Sequence, residues 1–135
     1  EFLDGPPMSA QFVDGELFGV TEQLVGEAWL HGRGFVYSGN FGPITTGVEP
    51  TGRALGAFLT SYFGVRGVGG LDFVARDGIV YPVEVNPRYT AGVEVLEHAT
   101  GRAVFEDPSP RPPLPLREGA GRRRRVGKAI YYAPH

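Results

Sequence analysis

Two Asp-Gly pairs constrain the fold of this chain most strongly, because each stands between two runs of strand-favouring residues. Asp14-Gly15 joins MSAQFV to ELFGVTEQLV, and Asp77-Gly78 stands between LDFVAR and IVYPVEV. An Asp-Gly pair between such runs is a strong short-range signal for a β-hairpin. The sequence therefore predicts two hairpins and, from them, an antiparallel sheet.

Helical periodicity predicts two helices beside this sheet. The first begins with Thr51 as N-cap, after a proline, and ends at Gly64. The second covers residues 90–99, with Val93 and Leu96 facing inward. The 21 glycines and 12 prolines among 135 residues disfavour a helix bundle. The predicted fold class is α+β, an antiparallel sheet with packed helices.

The remaining segments predict the domain organisation. Residues 1–105 form the folded unit, in which SGNFGP is interpreted as a turn beside a short FVY strand. Residues 106–125 are rich in proline and arginine and are predicted to be an extended linker that ends in a solvated run of four arginines. Residues 126–135 are interpreted as the start of a following strand that lacks its packing partner.

Charge and composition exclude several classes of protein. Residues 1–100 carry five basic and twelve acidic side chains, and such an acidic body argues against a nucleic-acid partner. No apolar run approaches the roughly 18 residues of a membrane span, so no membrane partner is expected. The absence of cysteine removes thiolate nucleophiles and ligands, and it suits a cytoplasmic location.

Chemistry is concentrated in the second hairpin, in the stretch GLDFVARDGIVYPVEVNPRYT. Asp72, Glu84 and Asn86 are hard oxygen donors of the kind that Mg²⁺ prefers, with waters and phosphates completing the coordination. Side chains at 84, 86 and 88 share one face of a strand, because the strand period is two. Arg88 is then placed beside the metal, where its guanidinium can neutralise an anion.

The register of this hairpin decides whether Asp72 reaches the same face. A two-residue turn at Asp77-Gly78 places Asp72 opposite Val83, on the wrong side of the sheet. A three-residue loop with Gly78 in the left-handed conformation corrects the register, and that loop is the prediction. Pro82 lacks a ladder donor, which predicts an edge or a bulge in its strand. The alternative interpretation is a solvated face with scattered acids and no metal.

The elements GLDFV and PVEVNPR resemble the metal-binding end of the ATP-grasp superfamily of ATP-dependent ligases, over residues 1 to about 100. The nearest resemblance is to proteins similar to the carbamoyl-phosphate synthase large subunit. The opening EFLDGPPMSAQF resembles the hinge strand of that family, and the resemblance implies that Glu1, Phe2 and Leu3 line the adenine pocket through main-chain groups.

The same resemblance implies the cofactors and the chemistry. Asp72, Glu84 and Asn86 would hold one or two Mg²⁺ ions, with Mn²⁺ as an alternative, and Arg88 would steady an acyl phosphate or the transferring phosphoryl group. The implied substrates are ATP and a small carboxylate. ATP activates the carboxylate as an acyl phosphate, which an amine or similar nucleophile then attacks.

One departure from that family concerns the residues that bind phosphate. The earlier half of the family supplies lysines and a glycine-rich loop that grip the phosphates, whereas Lys128 is the only lysine here. The expectation is therefore that this chain is the C-terminal part of an enzyme, inactive without its N-terminal half. Two alternatives stay open: a degenerate, non-catalytic ATP-grasp remnant that serves as a structural or interaction module, and an anion-binding adaptor.

Overall fold

The computed structural model describes residues 3–105 and 125–130, and in them the chain forms a six-stranded antiparallel sheet with two α-helices. The strands are arranged in the order β5-β4-β1-β2-β3-β6. This architecture confirms the predicted α+β class. The elements are β1 Pro7–Val13, β2 Glu16–Val25, a 3₁₀ turn at Ala28–Leu30, β3 Tyr37–Gly42, α1 Glu49–Phe63, β4 Val68–Arg76, β5 Ile79–Asn86, α2 Ala91–Thr100 and β6 Val126–Ala129.

Both predicted hairpins are present, and both close with two-residue turns. The two central residues have positive φ in each case, 49° and 83° at Asp14-Gly15 and 52° and 77° at Asp77-Gly78. This is the pattern of a type I′ turn, whose twist matches that of the flanking strands. Gly78 has the predicted positive φ. The predicted three-residue loop is wrong, because Arg76 pairs directly with Ile79.

One face of the sheet packs on α1 and forms the apolar core. Alternate β1 residues Met8, Ala10 and Phe12 are buried there with Phe73 of β4 and other apolar residues, and Leu55 and Leu59 of α1 pack against them. Burying this apolar area is the main source of folding free energy.

The sequence predicted the C-terminal end of α1 correctly but not its N-terminal end. The helix begins at Glu49, with Val48 as N-cap, so the prediction of Thr51 as the N-cap is wrong. Pro50 lies in the first turn, where its missing N–H group has no helical partner to lose. Gly64 ends the helix in the left-handed conformation, as predicted, with φ of 67°.

The opposite face packs on α2 and is polar. Ser9, Gln11 and Thr21 are at most 2% exposed, and α2 covers them. The helix approaches closely at Gly92, where a Cβ atom would lie 2.3 Å from Gln11 Nε2. The second helix agrees with its prediction to within one residue at each end: Thr90 is its N-cap, and Gly101 ends it in the left-handed conformation. Val93 and Leu96 are fully buried, as predicted, together with Val95.

Two sequence interpretations of strands are wrong. The stretch SGNFG is not a turn but most of β3, and Ser38 and Asn40 in it are buried. The tail strand β6 does not lack a partner, because it pairs with β3 in the same sheet, and Lys128 Nζ lies 2.6 Å from Glu94 Oε2 of α2. The strands β3 and β6, which make this edge, are short and contain glycine. Because glycine is depleted in strands, their sequences did not predict this pairing.

The predicted linker over residues 106–125 lies outside the described residues apart from Arg125, as does most of its arginine run. No helix in the described part of the chain has the length and apolar composition needed to cross a bilayer.

Candidate functional site

A cavity of about 430 Å³ opens on the polar face of the sheet, beside the N-terminus of α2. Five strands and the start of α2 contribute its walls. The four residues predicted to carry the chemistry all line it, namely Asp72, Glu84, Asn86 and Arg88. Val25, Phe35 and Tyr37, from β2, β3 and the loop between them, add apolar surface.

A β-bulge brings the two acidic residues together. With the two-residue turn, regular pairing would leave Asp72 opposite Val83. The ladder shifts by one residue between Asp72 and Phe73, so that Phe73 pairs with Pro82 and Asp72 pairs with Glu84. Val83 is the extra residue of this bulge. The bulge thus achieves what the three-residue loop was predicted to do.

The position of the bulge follows from Pro82. Proline has no N–H group to donate to a ladder, so a bulge beside it sacrifices no hydrogen bond from that residue. The strand β5 that contains it is also an edge of the sheet. The prediction of an edge or bulge at Pro82 is confirmed on both counts. Directly paired residues have Cβ atoms about 4.5–5.5 Å apart, close enough for two carboxylates to share one cation.

Asp72 is held by two hydrogen bonds. Ser9 donates its hydroxyl to Asp72 Oδ1 at 2.7 Å, and Asn86 donates its amide Nδ2 to Asp72 Oδ2 at 3.3 Å. Arg88 in turn donates Nη2 to Asn86 Oδ1 at 3.0 Å. Its Nη1 donates to the Tyr89 carbonyl at 3.4 Å. The guanidinium is thus anchored through both terminal nitrogens, and it lines the cavity, where its remaining N–H groups can receive an anion.

Polar residues of β1 support this site, and the sequence interpretation missed their role. Gln11 donates its Nε2 to Ser9 Oγ at 2.6 Å, and Thr90 donates its hydroxyl to Gln11 Oε1 at 2.7 Å. The available signal was their spacing, since Ser9 and Gln11 lie two apart on one strand. That spacing is also typical of a solvated face, and only the packing of α2 reveals that they are buried.

Asn40 of β3 is a second residue that the sequence interpretation missed. It is 3% exposed and lines the cavity opposite the acidic strands. Its amide is satisfied when the oxygen accepts from the Gly92 N–H group and the nitrogen donates to the Gly39 carbonyl, each at 3.0 Å. Asn40 thereby ties β3 to the first turn of α2.

Tyr89, the residue after Arg88, contacts the second half of α2 through Glu97. Tyr89 donates its hydroxyl to Glu97, which also accepts from the Val104 N–H group at 2.7 Å. Desolvation and the bond to Glu97 raise the pKa of Tyr89 above its usual value near 10. Its ring stacks on Phe105, with ring centroids 6.0 Å apart.

The three residues predicted to face adenine precede β1. Glu1 and Phe2 lie outside the described residues. Leu3 is half-buried and is not among the residues that line the cavity. Their role in binding adenine stays a prediction.

The donor set fits Mg²⁺ as an ion that is bound through a few protein oxygens. Within residues 3–105 and 125–130 no group of three His, Cys, Asp or Glu side chains could hold a metal. Asp72 and Glu84 supply two carboxylates, and Asn86 directs its amide nitrogen toward Asp72, so it becomes a ligand only after its amide turns over. Waters and phosphate oxygens would complete the octahedron, as is usual for this ion.

Comparison with known proteins shows the family. The model of the ATP-grasp domain matches residues 1–92. A solved structure of D-alanine–D-alanine ligase from Bacillus anthracis, complexed with ATP, is similar at 18% identity with a TM-score of 0.47, over 64% of this chain. The chain covers 28% of that ligase, and a search of curated proteins found no match. On the match of the domain model to more than half of its residues, the chain belongs to the ATP-grasp family.

Proposed function

We propose that this chain supplies the metal-binding and phosphate-facing strands of an ATP-dependent ligase. The pairing of Asp72 with Glu84 across the bulge carries the proposal, because it sets two carboxylates side by side in the cavity that Arg88 also lines. Nothing in apolar packing requires such a pair, and like charges placed directly opposite each other on a sheet are destabilising without a cation.

Each residue has a role in this proposal. Asp72, Glu84 and Asn86 would hold Mg²⁺, with Mn²⁺ as an alternative. When bound, the ion offsets charge on the phosphoryl oxygens and orients them. Arg88 would bind the oxygens of the acyl phosphate or the transferring phosphoryl group through its exposed N–H groups, as a planar guanidinium can in bidentate fashion.

The proposed reaction has two steps. A carboxylate oxygen of the substrate forms a bond to the γ-phosphorus of ATP, the bond to the bridging oxygen breaks, and ADP leaves. An amine or similar nucleophile then attacks the acyl carbon, and inorganic phosphate leaves. Positioning and electrostatics supply most of the rate in phosphoryl transfer, which suits a site built from fixed strands. Family membership does not name the carboxylate.

The remainder of the enzyme would complete the site. We expect an N-terminal half to contribute phosphate-binding lysines, and we expect this chain alone not to turn over ATP. The domain division at residues 105 and 125 remains part of the proposal, amended by the pairing of β6 with the main sheet. The narrower resemblance to carbamoyl-phosphate synthase-like proteins and a cytoplasmic location also remain predictions.

The experiment is ATP turnover by the complete enzyme with a panel of carboxylates and amines. Asp72→Asn removes one charge of the proposed ion site, whereas Glu16→Gln removes a charge at the exposed start of β2 and serves as the control. We expect loss of carboxylate-dependent ADP release in the first variant only. No ATP binding and no turnover by the complete protein would favour the non-catalytic module instead.

A further inference from the structure

A continuous series of hydrogen bonds runs from the cap of α2 to Asp72. The hydroxyl of Thr90 contacts Gln11 Oε1, Gln11 Nε2 contacts Ser9 Oγ, and Ser9 Oγ contacts Asp72 Oδ1, at 2.7, 2.6 and 2.7 Å. Ser9 lies opposite Asp72 in the β1–β4 ladder. Three elements that are distant in sequence are therefore joined at one carboxylate.

The donors in this series all point toward Asp72. Amide Nε2 can only donate, so Ser9 Oγ accepts from Gln11 and uses its single proton on Asp72. Thr90 Oγ1 accepts from the Val93 N–H group and uses its proton on Gln11 Oε1. The amide orientation of Gln11 is thus set by the cap of α2, and that orientation fixes the proton of Ser9.

The burial of these groups argues that the arrangement is specific. Gln11 is fully buried and Ser9 is 2% exposed, and a buried amide is stable only when its polar atoms are satisfied. The space around Gln11 is shaped for it, since a Cβ atom at Gly92 would lie 2.3 Å from its Nε2 and one at Gly70 would lie 2.8 Å from its Oε1. An apolar side chain would fill the same space without bonding to Ser9.

We propose that Ser9 and Gln11 are positioning residues for Asp72, holding its carboxylate in one orientation for the ion that it shares with Glu84. The inference rests on the proposed function for the ion and goes beyond it in assigning two buried residues of β1. Groups that hydrogen-bond a metal ligand orient it, and their loss typically weakens metal binding by about 10- to 100-fold.

The test uses Mn²⁺ alone as a probe on the 135-residue chain, with affinity measured by water-proton relaxation. Ser9→Ala removes the donor, and Ser9→Thr restores a hydroxyl at the same place. Thr21→Val is the matched control, because Thr21 is buried directly opposite Ser9 on β2 and its hydroxyl donates to the Ser9 backbone carbonyl at 3.4 Å rather than to the Ser9 side chain or Asp72. We expect Ser9→Ala to weaken Mn²⁺ binding by about 10-fold or more, and Ser9→Thr and Thr21→Val to remain within about twofold of the unsubstituted chain.

A second measurement keeps the inference separate from the proposed function. The side-chain amide of Asn86 donates to Asp72, so its NMR resonances report the position of that carboxylate without any metal. We expect Ser9→Ala and Gln11→Leu to shift and broaden those resonances, and Thr21→Val to leave them in place. Unchanged Asn86 resonances in both variants would overturn the inference. Absence of Mn²⁺ binding by the unsubstituted chain, with shifted resonances, would refute the proposed ion site and leave the positioning role standing.

Discussion

Along β1, in the interior of the sheet, the two faces are similarly buried but chemically opposite. On β1, Met8 and Phe12 face α1 and are about as buried as Ser9 and Gln11, which face α2. The first pair packs against other apolar side chains, whereas the second pair makes side-chain hydrogen bonds to each other, to Asp72 and to Thr90. Burial alone therefore does not mark the core. The α1 face contains the main apolar cluster, and the polar α2 face holds the candidate site.

The largest expected effect tests the α1 face. Phe73 is 3% exposed in the apolar core, and Phe73→Ala should lower the free energy of unfolding by about 3–5 kcal/mol, because the variant loses apolar burial and leaves a cavity. Urea denaturation measures this change. Glu84→Gln, on the exposed edge strand, is the comparison and should stay within about 0.5 kcal/mol. Equal losses in the two variants would break the contrast between the faces.

The next effect tests the α2 face through Glu84 itself. Glu84→Gln keeps the shape of the side chain but removes a charge that offsets the ion. We expect kcat of the complete enzyme to fall by about 10²–10³, the scale of about 2.7–4 kcal/mol for losing one oriented electrostatic group in a catalytic site. Steady-state kinetics at saturating Mg·ATP provides the measurement, with a thermal melt as the check on folding. A near-parental kcat would show that this strand has no catalytic part.

A smaller effect is expected for Arg88→Lys. The lysine keeps the charge but cannot reproduce a planar, bidentate contact with phosphoryl oxygens. A loss of about 1.5–3 kcal/mol of transition-state stabilisation is expected, equal to about 10- to 150-fold in kcat/KM. Arg76→Lys is the matched control, because the partner of Arg76 among the described residues is the exposed Asp77 in the turn. Equal kinetics for both variants would place Arg88 among solvated surface residues.

The smallest effect concerns the pH dependence of stability that arises from the bond between Tyr89 and Glu97 of α2. The folded state raises the pKa of Tyr89, so it favours the protonated phenol. The contribution of this group is fully present below about pH 10 and is lost as pH rises above that value. Tyr89→Phe should therefore give a flatter alkaline limb than the unsubstituted chain in denaturation measured between pH 9 and 11. Glu97→Gln, which keeps an acceptor oxygen without the charge, should lie between them.

All four residues that the sequence predicted for the site line one cavity, and their roles there stay predictions, whereas the predicted loop geometry is wrong. Asp72, Glu84, Asn86 and Arg88 could be found because oxygen donors at two-residue spacing after a strand are an unusual local pattern. The expectation that Asp72 and Glu84 face the same side of the sheet agrees with the structure. The predicted cause was a three-residue loop, whereas the actual cause is a bulge. A choice between a longer loop and a bulge depends on small differences in backbone energy, and the lack of a donor at Pro82 decided it only within the assembled ladder.

Local chemistry in the sequence determined the two Asp-Gly turns, the glycine ends of both helices, the Thr90 cap and the apolar alternation of β1, since each depends on a residue and its near neighbours. Tertiary structure alone decided that SGNFG is a strand, that β6 pairs with it, and that Ser9 and Gln11 are interior residues. The sequence pattern of polar residues on a strand is the same whether water or a helix covers that face. The close approach of α2 at Gly92 makes these residues part of the interior, where Gln11 bonds to Ser9 and Ser9 bonds to Asp72.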